Sequence, residues 1–377
     1  MIVGGAQEHT MLSCALVDRH RFACELLTGP QTGPEGELHT ETRARGVVLH
    51  LEPSLVRELR PWKDLVALIR LARFLRRGRY DVVHTNSSKA GILGRIAAAI
   101  AKVPVVVHTV HGWGFHPRQS ALRLGFYTAL ERACAPRCDR LIVVNEADRD
   151  TGLALRIGRP EQYLLMRSGI EIEAFRDVKI SLSAARERLG VPPEAFVVGC
   201  VGRLSEQKAP LDLFAAFERV ARECPAAHLV MVGDGPLRGA IEARIVEAGL
   251  SDRVHLAGLR RDVPKCLRAF DVLALSSRWE GLPRVFSQAM AAGLPIVATR
   301  VAGAADAVRD GENGFLVEIG DAVGLAVRLL ELAHDSTLRQ RLGAAGLARV
   351  EEFSARRMVG ELQMLYVELL ARRGIVA

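Results

Sequence analysis

The sequence predicts an α/β protein built from two Rossmann-like domains with parallel sheets. Short β-rich runs alternate with helical stretches through both halves of the 377-residue chain, and such alternation implies βαβ units. The length suits two domains of roughly 150 residues each. Hydrophobic residues make up 49% and charged residues 25%, the balance of a globular protein with substantial cores.

In chain order, the first half carries strand-like runs at 22–27, 47–51, 82–85, 105–109, 141–144 and 163–166. Leu65, Leu68, Ile69, Ala72 and Leu75 recur at helical spacing and predict the apolar face of an intervening helix. The second half repeats the rhythm at 197–201, 228–232, 254–256, 272–275, 296–298 and 315–317. A polar stretch after Gly169 marks the boundary. The expected division is 1–170, 171–352, and a C-terminal helix within 353–377, marked by Met358, Leu362, Leu365 and Leu369, that packs back on the first domain. The chain opens at Met1-Ile2-Val3 and runs into Gly4-Gly5, leaving almost no first strand. In a doubly wound sheet that strand is central, and its loss would leave two unpaired edges. The expectation is a natural start upstream, or else a short strand reduced to Ile2 and Val3.

The net charge of +8 is uneven: residues 1–170 hold 24 Lys and Arg against 16 Asp and Glu, and the remainder balances at 27 of each. A basic half points to an anionic partner. Nucleic acid is disfavoured, because the basic residues come without interleaved aromatics or a recognition motif. The seven cysteines form no CxxC pair and read as reduced thiols. Residues 92–107, the most apolar run, are interrupted by Arg95 and Lys102, short of the ~18 residues of a membrane span. With no signal-peptide pattern at the start, the expected location is the cytoplasm.

Four motifs carry chemistry. Val201-Gly202-Arg203-Leu204-Ser205-Glu206-Gln207-Lys208 follows an apolar run and precedes a helix expected at Pro210. It places two cations at the carboxyl edge of a parallel sheet, where α/β ligands bind. Val232-Gly233-Asp234-Gly235-Pro236 is a second strand–turn–helix, with Pro236 suited to the first helical position. Neither glycine loop spells the dinucleotide fingerprint G-x-G-x-x-G. In Ser276-Ser277-Arg278-Trp279-Glu280-Gly281-Leu282-Pro283, Glu280 is placed either to bind sugar hydroxyls or simply to cap the next helix, with Gln288 about two turns along on the same face. His111-Gly112-Trp113-Gly114-Phe115 sets a histidine at a strand's carboxyl end, where it could bond a substrate, shuttle a proton or serve structure alone. Asp148-Arg149-Asp150 resembles a metal-binding D-x-D pair, but falls where a helix is expected, so its carboxylates would diverge.

Taken together and in order, Gly4-Gly5-Ala6, His111-Gly112, Gly202-Arg203 with Lys208, Gly233-Asp234-Gly235-Pro236, Glu280-Gly281 and Asp310-Gly311-Glu312-Asn313-Gly314 resemble the family-4 retaining glycosyltransferases of the GT-B fold. The resemblance implies two Rossmann-like domains facing across a cleft, with neither metal nor cofactor, the nucleotide-sugar being a substrate. It implies that Gly4 and Gly5 lie near the donor phosphates and that His111 contacts the transferred sugar. Arg203 and Lys208, after Gly202, would hold the diphosphate. Glu280, with Gly281, Leu282 and Arg284, would bind the donor sugar. Gly233 would approach the ligand, and the base would fall near Leu256 and Gly258. The family pattern usually has a second Glu where this chain has Gln288, and Ala209 stands where Gly is common.

His111-Gly112-Trp113-Gly114-Phe115 is similar to enzymes of bacterial surface-polysaccharide assembly, which implies a UDP-sugar donor, with GDP-mannose as the alternative, and a lipid-linked or saccharide acceptor. Lys63, Arg70, Arg73 and Arg77 accompany the apolar stripe of their helix and suit either an anionic membrane surface at the inner face of the cell membrane or the solvated outer face of an ordinary Rossmann helix. A UDP-sugar 2-epimerase and a catalytically weak nucleotide-binding protein are the competing readings.

Overall fold

The computed structural model describes residues 4–30, 36–115 and 119–375. The expected opening strand falls outside them. The chain divides into two compact units, Met1–Gly169 with Ala355–Ala377, and Ile170–Ser354.

In the first unit the strands are β1 (Glu25–Thr28), β2 (Val48–Leu51), β3 (Val82–Asn86), β4 (Val105–Val110), β5 (Arg140–Val143) and β6 (Tyr163–Leu165). All pair in parallel, but in two pieces: β1-β2, and β3-β4-β5-β6 in that order. β4 is buried at all six positions, as expected of a parallel strand covered on both faces. The helix Ala355–Ala371 buries Met358, Leu362, Leu365 and Leu369 against Val105, Val107 and Ile142.

The helix Pro61–Gly78 bears out part of the expected stripe and corrects the rest. Ala72 is buried with Leu71 and Ala97, and Leu68 and Leu75 pack against them together with Leu27 and Leu93. Leu65 and Ile69 point to solvent instead. Apolar residues occupy more of this helix than one contact face can cover, so periodicity alone selected too wide a stripe.

The second unit holds β7 (Phe196–Val201), β8 (Ala227–Val232), β9 (Val254–Gly258), β10 (Val272–Leu275), β11 (Ile296–Thr299) and β12 (Gly314–Val317). They form one parallel sheet in the order β12-β11-β10-β7-β8-β9. The order reverses between β7 and β10, and in open α/β sheets such a switch point opens a ligand crevice at the strands' carboxyl ends.

Candidate active site

The loops leaving β7 and β10 flank that switch point and are bonded to each other. Lys208, at the end of the first, lies with its Nζ 2.5 Å from Glu280 Oε1 in the second. Ser277 Oγ donates to the same oxygen at 2.7 Å, and Gln207 Nε2 reaches Glu280 Oε2 at 3.4 Å. Gln207 also donates to the Trp279 carbonyl at 3.0 Å, and the Arg278 amide donates to the Gln207 carbonyl at 2.8 Å. Ser276 Oγ spans the Lys208 and Ala209 carbonyls at 3.1 and 2.8 Å. The Glu280 side chain is only 8% exposed; a carboxylate so buried is tolerable because a cation and neutral donors surround it. Arg203 is exposed on the first loop.

These contacts remove the capping alternative for Glu280. The next helix, Arg284–Ala291, starts four residues later with Pro283 at its N-cap, so Glu280 belongs to the loop. The expected same-face relation with Gln288 fails for that reason. Gln288 is half-buried on the helix, with no side-chain partner among the described residues. Leu282 and Arg284 flank the helix start, where backbone amides lack intrahelical acceptors.

A third loop is pressed against the first. Gly233 has φ +138°, and a Cβ there would stand 2.0 Å from the Gly202 carbonyl oxygen. Its amide donates to the Gly258 carbonyl at 2.8 Å, joining the β8 loop to the end of β9 beyond Leu256. Pro236 lies in the turn and not at the first helical position, because the helix spans Arg238–Glu247. From the β11 side, Gly303 (φ +70°) leaves room for the Gly281 carbonyl, 1.8 Å from where a Cβ would sit. Ala209 adopts φ 44°, ψ 51° immediately before the helix Pro210–Glu223, a left-handed conformation that glycine adopts more cheaply.

In the first unit, His111 follows β4 directly. Its Nε2 lies 2.9 Å from Asn86 Oδ1, and its ring meets that of buried His9 edge-on at 4.6 Å. His9 belongs to the helix Gly5–Ala15, whose N-cap is Gly4, so the helix that follows the Gly4-Gly5 turn meets His111 through His9. Trp113 stacks on Phe115 at 5.5 Å and donates from Nε1 to the Asp148 carbonyl at 2.8 Å, tying this loop to the helix Glu146–Ala154. Asp148 accepts from Asn145 Nδ2 at 2.7 Å while Asp150 pairs with Arg149, so the D-x-D carboxylates are engaged separately. Among the described residues no three His, Cys, Asp or Glu side chains are grouped to hold a metal ion.

Two family models match the chain: "Glycosyl transferase 4-like domain" over residues 4–169 and "Glycosyl transferases group 1" over residues 195–335. The UDP-Gal:α-D-GlcNAc-diphosphoundecaprenol α-1,3-galactosyltransferase of Escherichia coli is 31% identical over 377 residues, covering 99% of this chain and 96% of that protein. The chain is a family-4 glycosyltransferase. The capsular polysaccharide biosynthesis glycosyltransferase CapM of Staphylococcus aureus is 25% identical, covering 85% of this chain and 84% of its own. HepE of Anabaena, solved with UDP and glucose, superposes with a TM-score of 0.83 at 23% identity, over 97% of this chain and 96% of that one. The fold of this glycosyltransferase is therefore GT-B.

Sequence reasoning passed over Gln207, Ser277, Asn86 and His9, which surround the glycosyltransferase's candidate residues. Ser277 stands three residues before Glu280 in the same motif, a closeness the sequence itself displays, whereas His9 meets His111 only through the fold. Asn86 carries no such signal, because only the parallel pairing of β3 with β4 brings it near His111.

Proposed function

We propose that this glycosyltransferase is a retaining, metal-independent enzyme that moves a hexosyl group from a UDP-sugar to a lipid-diphosphate-linked saccharide. In this reading it works in the cytoplasm, at the inner face of the cell membrane. The observation that carries the reading is the Lys208–Glu280 pair at the switch point, beside a relative whose name specifies UDP-Gal and a GlcNAc-diphosphoundecaprenol acceptor. In the absence of donor, Lys208 is neutralised by Glu280. A diphosphate arriving beside Gly202 draws the ammonium away, and the released carboxylate accepts hydroxyls of the donor sugar. Arg203 supplies the second cation as the diphosphate departs and its charge grows. Each charge-assisted bond contributes roughly 1.5–3 kcal/mol. Two give at most about 6 kcal/mol, below the ~8–23 kcal/mol of enzymatic catalysis, so positioning of the acceptor must supply the rest. His111, oriented by Asn86 and His9, belongs to the acceptor side.

Incubation with UDP-galactose and a GlcNAc-diphosphate lipid tests the proposal: UDP is released and the product's anomeric configuration matches the donor's. Inverted product, or exchange at the sugar's C2 without acceptor, contradicts it.

A further inference from the structure

We infer that Cys14 and Cys24 form a reversible thiol–disulfide site that sets the position of the helix carrying His9. All seven cysteines are free, but these two are set apart by their placement. Cys14 is in the last turn of the helix Gly5–Ala15, Cys24 immediately precedes β1, and their side chains are hydrogen-bonded to each other. Both are half-buried, and Cys24 lies between exposed Ala23 and Glu25, so a small oxidant reaches it from solvent. Cys134, Cys138 and Cys200 are buried. Burial pushes the Cys138 and Cys200 thiols up to about 12 and about 11, where thiolate is scarce at neutral pH.

The two thiols are also unequal in the way the chemistry needs. The Cys14 thiol donates to the Cys24 sulfur, which holds Cys24 below the ordinary thiol value against the opposing effects of burial and Glu25; Arg19 adds to the lowering. The same bond, and then burial, push Cys14 up. Cys24 is therefore the nucleophile and Cys14 the thiol that resolves it. With a hydroperoxide as oxidant, the Cys24 thiolate attacks a peroxide oxygen. The S–O bond forms as the O–O bond breaks, and the leaving hydroxide takes a proton to become water. The Cys14 sulfur then attacks the Cys24 sulfur, and the Cys14 proton leaves with the displaced hydroxide as a second water. Two thiols are oxidised to one disulfide while one peroxide is reduced to two waters. The neighbouring Tyr366 hydroxyl, raised mainly by burial, is engaged with His84 Nδ1 at 2.5 Å and leaves the thiols to each other. A disulfide needs its sulfurs ~2.05 Å apart, so oxidation draws the end of the Gly5–Ala15 helix toward β1. His9 of that helix meets the His111 ring at 4.6 Å, and a displacement of about 1 Å can cost about 10²-fold in rate. This last step alone rests on the acceptor-side role of His111 proposed above.

The test exposes the reduced full chain to excess hydrogen peroxide and maps its cysteines by peptide mass spectrometry. The wild type should yield a Cys14–Cys24 cross-link that dithiothreitol removes. Its kcat/KM for transfer should fall about tenfold or more and return on reduction, with UDP affinity by calorimetry unchanged. Cys14→Ser should strand Cys24 as a sulfenic or sulfinic acid, whereas Cys24→Ser should leave Cys14 unoxidised and transfer insensitive to peroxide. A wild type without this cross-link overturns the site, as does Cys14 oxidised in Cys24→Ser as fast as in the wild type. A cross-linked protein whose transfer stays within about twofold of the reduced one overturns the link to His9. Absence of transfer from the reduced protein removes the proposed reaction alone, because the mapped cross-link still decides the thiol site.

Discussion

The two units of this glycosyltransferase share one architectural rule and use it differently. The unit Ile170–Ser354 has a continuous six-stranded sheet and neutral charge balance from residue 171 on. Its loops lock together where glycines leave no room for a Cβ, as at Gly233 against Gly202 and Gly303 against Gly281. Among the described residues, the other unit has its strands in two sheets and exposes apolar side chains on one helix face, and it carries the chain's excess of basic residues. The contrast separates a unit whose loops are fixed by close backbone approach from one that exposes a long apolar and basic helix face.

That contrast can be sharpened by substitution. The largest effect belongs to the locked unit: Lys208→Ala and Arg203→Ala should each lower transfer about 10²–10³-fold, measured as kcat/KM. Glu280→Gln should lower transfer by a similar factor yet leave UDP affinity intact, because it removes the sugar ligand and releases Lys208. Gly233→Ala should destabilise by more than about 2 kcal/mol in urea unfolding, since neither its φ nor its space accepts a Cβ. Ala209→Gly should stabilise by about 1 kcal/mol, relieving the left-handed alanine. Removal of divalent ions with EDTA should leave turnover unchanged.

Acid distinguishes the units in the opposite sense. Burial holds His108 well below the ordinary histidine value, with Arg95 adding to the effect, and pushes His84 down to about 4. His228 and His255, whose Nδ1 and Nε2 lie 3.0 Å apart across β8 and β9, are lowered mainly by burial. In each case the fold favours the neutral ring while the unfolded chain takes a proton near pH 6.5, so stability is present above about 6.5 and lost as pH falls through each folded value, which for His84 is about 4. The larger shifts lie at β3 and β4. Pulse-labelled hydrogen exchange between pH 7 and pH 5 should therefore show protection falling first in residues 82–110; earlier loss at β8 and β9 would break the comparison.

Much of this was legible before any coordinates. The twelve strands of the described residues fall where β-rich runs stand between helical stretches, because buried parallel strands write themselves as short apolar segments. The cations of the β7 loop and Glu280 stood out as charged residues beside glycines at strand ends. What could not be read was pairing between loops remote in sequence: Gln207 and Ser277 reach Glu280 only because β7 and β10 are neighbours. The outward turn of Leu65 and Ile69 was equally hidden, since periodicity reports that a stripe exists and not which edge of it the sheet covers.

The proposed reaction requires the loops after β7 and β10 to receive a nucleotide diphosphate. Calorimetric titration of UDP into the wild type and into Lys208→Ala, with uridine as the uncharged control, tests this most directly. UDP should bind at least about tenfold more weakly to the variant, with uridine affinity unchanged. Equal UDP affinity in the two proteins would contradict it.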